Sequence, residues 1–145
     1  MPNMDSTSPS TGEDRTWFED GIVYTELTHP VTFDSIHRAQ DQALEALLQA
    51  GSGERVPYIV ILTGDAQGEM HLGISELAKM IRHEFTKHIT GIWTVGKTEA
   101  HTKIVDIVNH YFLSGRVRFA DSIEAARTEA RQSINDGLGV LEKNK

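Results

Sequence analysis

Apolar positions along the chain follow two spacings, and the switches between them mark out the elements. Two β-rich runs, Thr16–Glu19 and Ile22–Leu27, flank Asp20-Gly21. An Asp-Gly pair suits a type I′ turn, which requires φ > 0 at both central residues, so the spacing predicts an antiparallel hairpin. Behind Thr32, a good N-cap, Ile36, Ala39, Ala43, Leu47 and Ala50 recur at helical spacing, and Gly51-Ser52-Gly53 closes the helix. Pro57 opens a third strand, Tyr58–Leu62, whose unbroken apolar run is that of a strand buried on both faces.

The pattern continues as strand–helix alternation. A glycine-bearing loop, 63–68, leads into a second helix, Leu72–His88, with Ile74, Leu77, Ala78, Ile81 and Phe85 on its apolar stripe. Strand 4 is read at Gly91–Val95. Helix 3 spans Glu99–Leu113 and is closed by Ser114-Gly115. Strand 5, Arg116–Phe119, alternates charged and apolar positions as an edge strand does. Helix 4 starts at Asp121 or Ser122, where Asp121 and Glu124 approach a capping box, and carries Ile123, Ala126, Ala130 and Ile134. The order β-β-α-β-α-β-α-β-α predicts an α/β fold. Strands 2 to 5 are parallel through right-handed crossovers, and strand 1 is hairpinned on.

Residues 1–15 mix Ser, Thr, Pro and charges, bury too little apolar area to offset ordering entropy, and are expected to be a disordered tail. The domain is read as 16–134. Residues 135–145, with Gly137 and Gly139, are expected to fray.

Composition narrows the function. With no cysteine among 145 residues, a disulfide framework, a thiolate zinc site and a cysteine nucleophile are excluded. A net charge of −7, with no basic patch beyond Arg116 and Arg118, argues against nucleic acid and anionic lipid headgroups as partners. The longest apolar run is Ile59–Leu62, and residues 1–15 lack a signal-peptide core. No membrane insertion and a cytoplasmic location are the expectation.

Candidate chemistry is sparse. Of seven histidines, His83 and His88 are five apart and share no helical face; Asp106 and His110 are four apart and can, but no third ligand stands out. No metal and no cofactor are assigned. Ser75 lacks the second glycine of a nucleophile elbow and lies inside a helical pattern. Asp34, Asp41 and Glu45 read as a solvated face of helix 1. The loop containing Gly64, Asp65, Gln67 and Gly68 has neither Walker nor dinucleotide spacing. It sits where strand 3 meets helix 2, the place where open α/β sheets carry sites, so it is a candidate binding loop, although its glycines are also what a tight turn needs.

Three segments carry a family resemblance: Trp17-Phe18-Glu19-Asp20-Gly21-Ile22-Val23, Val31-Thr32-Phe33-Asp34, and Arg118-Phe119-Ala120-Asp121-Ser122-Ile123-Glu124-Ala125-Ala126. Together with the element order they resemble the SpoIIAA-like, or STAS, fold, and more closely the small bacterial STAS-like proteins. The resemblance implies a right-handed βα superhelix with mostly sequential strands, and non-enzymatic work. Antagonists of this fold bind a partner kinase and are switched by phosphorylation of a serine in an Asp-Ser-x-Gly motif after strand 3. Here the region reads Gly64-Asp65-Ala66-Gln67-Gly68, with no hydroxyl between Asp65 and Gly68 and Thr63 the nearest, so the switch does not carry over.

Two functions follow: a regulatory protein-interaction module with an unknown protein partner, or a binder of a small apolar molecule or lipid, since some relatives of this fold hold apolar ligands. A deep pocket lined by Phe85, Trp93 and Tyr111 favours the second. A sheet with helices mainly on one face leaves its other face to be covered by a helix of the same chain or by a second copy. Helix 4 has few large side chains, so a homodimer with Trp93 near the interface is expected.

Overall fold

A computed structural model of the chain describes residues 14–51, 53–68, 72–96, 99–110 and 116–143. Strand β1 (Arg15–Glu19) and strand β2 (Ile22–Leu27) form the predicted hairpin, and Asp20 and Gly21 both take positive φ, 52° and 80°. Trp17 pairs with Tyr24 across it, and their rings stack with centroids 5.1 Å apart. Order starts earlier than Thr16. Arg15 pairs with Glu26 at 2.8 Å, and Asp14 accepts a 2.8 Å hydrogen bond from the Thr28 backbone N–H. The rest of the expected tail, residues 1–13, lies outside the described residues.

Helix α1 (Phe33–Ala50) starts at Thr32, which exchanges hydrogen bonds with Ser35, and stops at Gly51 in the left-handed conformation. Strand β3 runs Val56–Leu62, two residues longer at its start than the sequence suggests, because Pro57 is inside the strand. Proline has no N–H for the ladder. The pairing with strand β4 (Ile89–Val95) shifts there: Val56 faces Ile89, Pro57 faces Gly91, and Thr90 is the extra residue of a bulge. The bulge also turns Ile89 and Ile92 to the same side.

The second helix is not continuous to His88. Helix α2 (Ile74–Arg82) breaks at His83, whose ψ is 142°, and a 3-10 turn follows at Glu84–His88. Thr86 Oγ1 donates to the carbonyls of Ile81 and His83, and its own N–H also donates to His83. Helix α3 (Glu99–Val108) leads toward strand β5 (Val117–Ala120); Ser114 and Gly115 lie outside the described residues. Asn109 grips the edge strand from α3, donating to the Val117 carbonyl at 2.7 Å and accepting from its N–H at 2.9 Å. Helix α4 (Ile123–Lys143) is capped by Ser122 and continues through Gly137 and Gly139, past the end expected at residue 134.

The five-stranded sheet has the sequential order β1-β2-β3-β4-β5, with β1 antiparallel and the other neighbours parallel. Period-two alternation divides its side chains. Val23, Val56, Tyr58 and Ile89 pack under α1 and the 3-10 turn with Ala43, Leu47 and Phe85. Ile22, Tyr24, Ile59, Ile61, Trp93 and Val95 pack on the opposite face with Ala126 and Ala130 of α4.

That second face is where the homodimer was expected, and the structure corrects the premise. The face is covered by α4 of the same chain, and Trp93 is 2% exposed beneath it. Small residues on α4 are no weakness. They let its backbone approach large side chains that the sheet already supplies, and Ala126 and Ala130 are fully buried.

Ala130→Leu forces three extra heavy atoms into this contact and is expected to destabilise the fold by about 1–3 kcal/mol in urea unfolding. The exposed neighbour substitution Glu129→Gln is expected to stay within about 0.5 kcal/mol of the native chain. Equal effects of the two would show that α4 does not press on the sheet.

Candidate functional site

The face under α1, α2 and α3 is not solidly filled. A cavity of about 140 Å³ lies between the three helices and the sheet. Leu27, Val60, Ile92 and Val117 form its floor, alternate residues of neighbouring strands. Ile36, Ala39 and Gln40 of α1 form one wall, Leu77, Met80 and Ile81 of α2 another, and Ile104, Val105 and Val108 of α3 the third. The lining is almost wholly aliphatic. A second hollow, near Asp14, Thr16, His29 and Arg38, is open and polar, and the Asp14 carboxylate there is taken up by the N–H groups of Thr28 and His29.

Four polar side chains, Gln40, Tyr58, Thr86 and Thr94, reach the apolar cavity. Tyr58 donates its hydroxyl proton to Thr25 Oγ1 at 2.6 Å, and Thr25 in turn contacts Thr16 Oγ1 at 2.8 Å. Burial lifts the Tyr58 phenol from 10.0 to about 12, against the smaller opposing effect of the Thr25 hydrogen bond. Thr86 is spent on two carbonyls, as described. Gln40, 6% exposed, donates from Nε2 to the Met80 carbonyl at 2.9 Å, tying α1 to the end of α2. Its Oε1 is buried without a hydrogen-bond partner among the described residues.

Phe85 and Trp93, expected to line one pocket, do not share one. Phe85 packs edge-on against Tyr58, centroids 4.8 Å apart, in the core under α1. Trp93 lies on the opposite face under α4, with Arg118 above its ring. The sheet itself separates them. Tyr111 lies outside the described residues.

The candidate binding loop folds as a 3-10 turn, Gly64–Gln67. The N–H groups of Asp65, Ala66 and Gly68 donate to Thr28, Thr63 and Asp65 carbonyls, and Gln67 Nε2 donates to the Leu62 carbonyl. Gly64 has φ +55°, as a tight turn requires. Gly96, at φ +90° after β4, must also be glycine, because a Cβ there would overlap the Leu62 carbonyl oxygen. The turn therefore closes the end of β3 against β4.

Sequence spacing missed one cluster. His37 and Asp41, one turn apart on α1, meet His83, and their nearest nitrogen and oxygen atoms lie within 4.8 Å of one another. His83 Nε2 is 2.7 Å from Asp41 Oδ1, and His37 Nδ1 is 3.5 Å from Asp41 Oδ2. The i, i+4 pair was visible in the sequence; its third member arrives only through tertiary packing. The chemistry of His83 decides what the cluster can do. The Phe85 N–H donates to His83 Nδ1 at 3.0 Å, so that nitrogen keeps its lone pair for the backbone and the ring proton sits on Nε2, directed at Asp41. Both nitrogens are occupied. His83 in this arrangement offers no free lone pair to a metal or to a substrate proton, and it serves as a clip between α1 and the break after α2. Asp106 and His110 join no three-ligand group among the described residues.

No family model matches the chain, and comparison with curated proteins and with solved structures finds no match either.

Tyr58 gives the site a pH signature. Its folded-state pKa lies above the unfolded value, so the neutral phenol stabilises the fold. That contribution is complete below pH 10 and is lost as the pH climbs towards 12. Urea unfolding of the native chain is expected to lose up to about 3 kcal/mol more over this window than Tyr58→Phe does. Parallel pH profiles would mean that the phenol is not held neutral. Separately, Gly96→Ala is expected to lower stability by more than about 2 kcal/mol, since it combines positive φ with a backbone overlap; a change under half of that would show the turn to be loosely held.

Proposed function

We propose that this domain binds a small, largely apolar molecule in the cavity between α1, α2, α3 and the sheet. The single observation that carries the reading is the cavity itself, lined mainly by aliphatic side chains and about 140 Å³ in volume. An apolar cavity of about 150 Å³ stays dry and takes up benzene, so volume and lining both suit a ligand of that size. Leaving such a void unfilled costs stability, because its lining loses contact partners.

We take the work to be non-enzymatic. Supporting this, the nearest His–Asp pair has both histidine nitrogens engaged, and the Asp65, Ala66 and Gly68 N–H groups of the loop after β3 donate within the protein. The hairpin start, the sequential strand order and the strand–helix alternation support a SpoIIAA-like, STAS-like arrangement. In that setting the domain works without the phosphorylation switch, since residues 64–68 carry no hydroxyl. A protein-interaction role has one observation in its favour: Leu48 and Ile74 are 67% and 58% exposed, unusually wet for their size. No helix among the described residues is long and apolar enough to cross a membrane.

Benzene titrated into the protein is expected to shift methyl NMR signals of Val60, Leu77 and Val108 saturably. It should stabilise the fold by about 1.4 kcal/mol at ten times Kd. Val60→Phe places a ring in the floor of the cavity and should abolish both effects. Absence of any saturable shift in the native chain would overturn the assignment.

A further inference from the structure

Gln40 interrupts an otherwise apolar stripe. It lies four residues after Ile36 and three before Ala43, on the buried side of α1, and is 6% exposed. Its amide orientation is fixed by its neighbour. Nε2 donates to the Met80 carbonyl at 2.9 Å, and the reversed amide would set oxygen against oxygen. The orientation therefore leaves Oε1 as the acceptor, buried and without a partner among the described residues. A buried carbonyl left unmade costs stability, and such groups are normally satisfied. Three hydroxyls line the cavity. Tyr58 and Thr86 already direct their protons at protein acceptors, and Thr94, on the floor, makes no hydrogen bond to Gln40 Oε1. The cavity wall thus lacks one thing: a donor for Gln40.

We propose that the ligand of this cavity is a small apolar molecule bearing one hydrogen-bond donor, a phenol or a compact alcohol, whose hydroxyl donates to Gln40 Oε1. This rests on the cavity being a binding site. It goes further in assigning a chemical class and a selecting residue. A pure hydrocarbon fills the same volume but leaves Oε1 unsatisfied. An anion is disfavoured twice, by the aliphatic lining and by facing a carbonyl oxygen. The donor is recognised because the carbonyl has already lost its water on folding, so the new bond is made at little further desolvation cost on the protein's side.

Benzene and phenol separate the two levels of the argument, since they share a ring and differ by one hydroxyl. Dissociation constants from methyl NMR titration of the native chain are expected to favour phenol by about 3- to 10-fold. Gln40→Met keeps the length of the side chain and removes the acceptor. It should still bind benzene, which shows that the cavity is intact, and should lose the preference for phenol. If benzene binds the native chain as tightly as phenol or more tightly, the donor assignment is wrong and the apolar-cavity reading stands. Should neither compound bind, the cavity is not a site of this size class and both fall. The native-chain comparison decides the matter even if Gln40→Met does not fold.

Discussion

Strand β3 carries apolar side chains on both faces, and everything else is arranged to keep both faces dry. Val56, Tyr58 and Leu62 point one way and Ile59 and Ile61 the other, all nearly inaccessible to water. A strand of this kind needs neighbours on each side and a helical layer above and below. The parallel pairing with β2 and β4 supplies the first. The layers are unequal: three helices share one face, whereas α4 alone presses on the other through Ala126 and Ala130. The thin layer is the closely packed one, because alanines let a helix sit low over Trp93 and Tyr24.

The thicker layer is looser, for reasons that lie at the end of α2. That helix is nine residues long and breaks at His83. Side chains from other elements add hydrogen bonds to its last carbonyls: Gln40 from α1 reaches Met80, which also accepts the His83 N–H, and Thr86 from the 3-10 turn reaches Ile81. His83 adds a bond to Asp41. These ties fix the end of α2 towards α1, while Asn109 fixes the end of α3 to the edge strand. Between two anchored helices the aliphatic side chains of the sheet do not fill the space. Polar anchoring sets the positions of the helices, and the cavity is what remains.

The order of elements was legible in the sequence because it depends on local signals. Asp20-Gly21, Thr32 and Gly51 each act within a few residues, and each sits where its chemistry requires. Misjudged boundaries have non-local causes. The extension of β3 to Val56 depends on a bulge in β4 that accommodates Pro57, and the break at His83 depends on hydrogen bonds that helical periodicity does not register. The site was harder to read. Phe85 and Trp93 are large and aromatic, so they drew attention as pocket residues, yet their size is what buries them in two separate cores. Gln40 left one trace, a polar residue inside an apolar stripe, and spacing alone does not tell a buried amide from an exposed one. Which face a helix covers was also hidden: α4 reads as poor in large residues, and only its partner surface explains why that suffices.

The placement of α4 has a consequence for the history of each molecule. Chain order puts α4 after every strand it covers, so the face bearing Tyr24, Ile59 and Trp93 is complete before its cover exists. Synthesis proceeds at about 5–20 residues per second, so a nascent sheet stays open on one side for on the order of a second or more. During that interval the surface that ends as the best-sealed part of the protein is its stickiest. The molecule's exposure to wrong association is therefore concentrated in the moment before α4 docks, and ends with it.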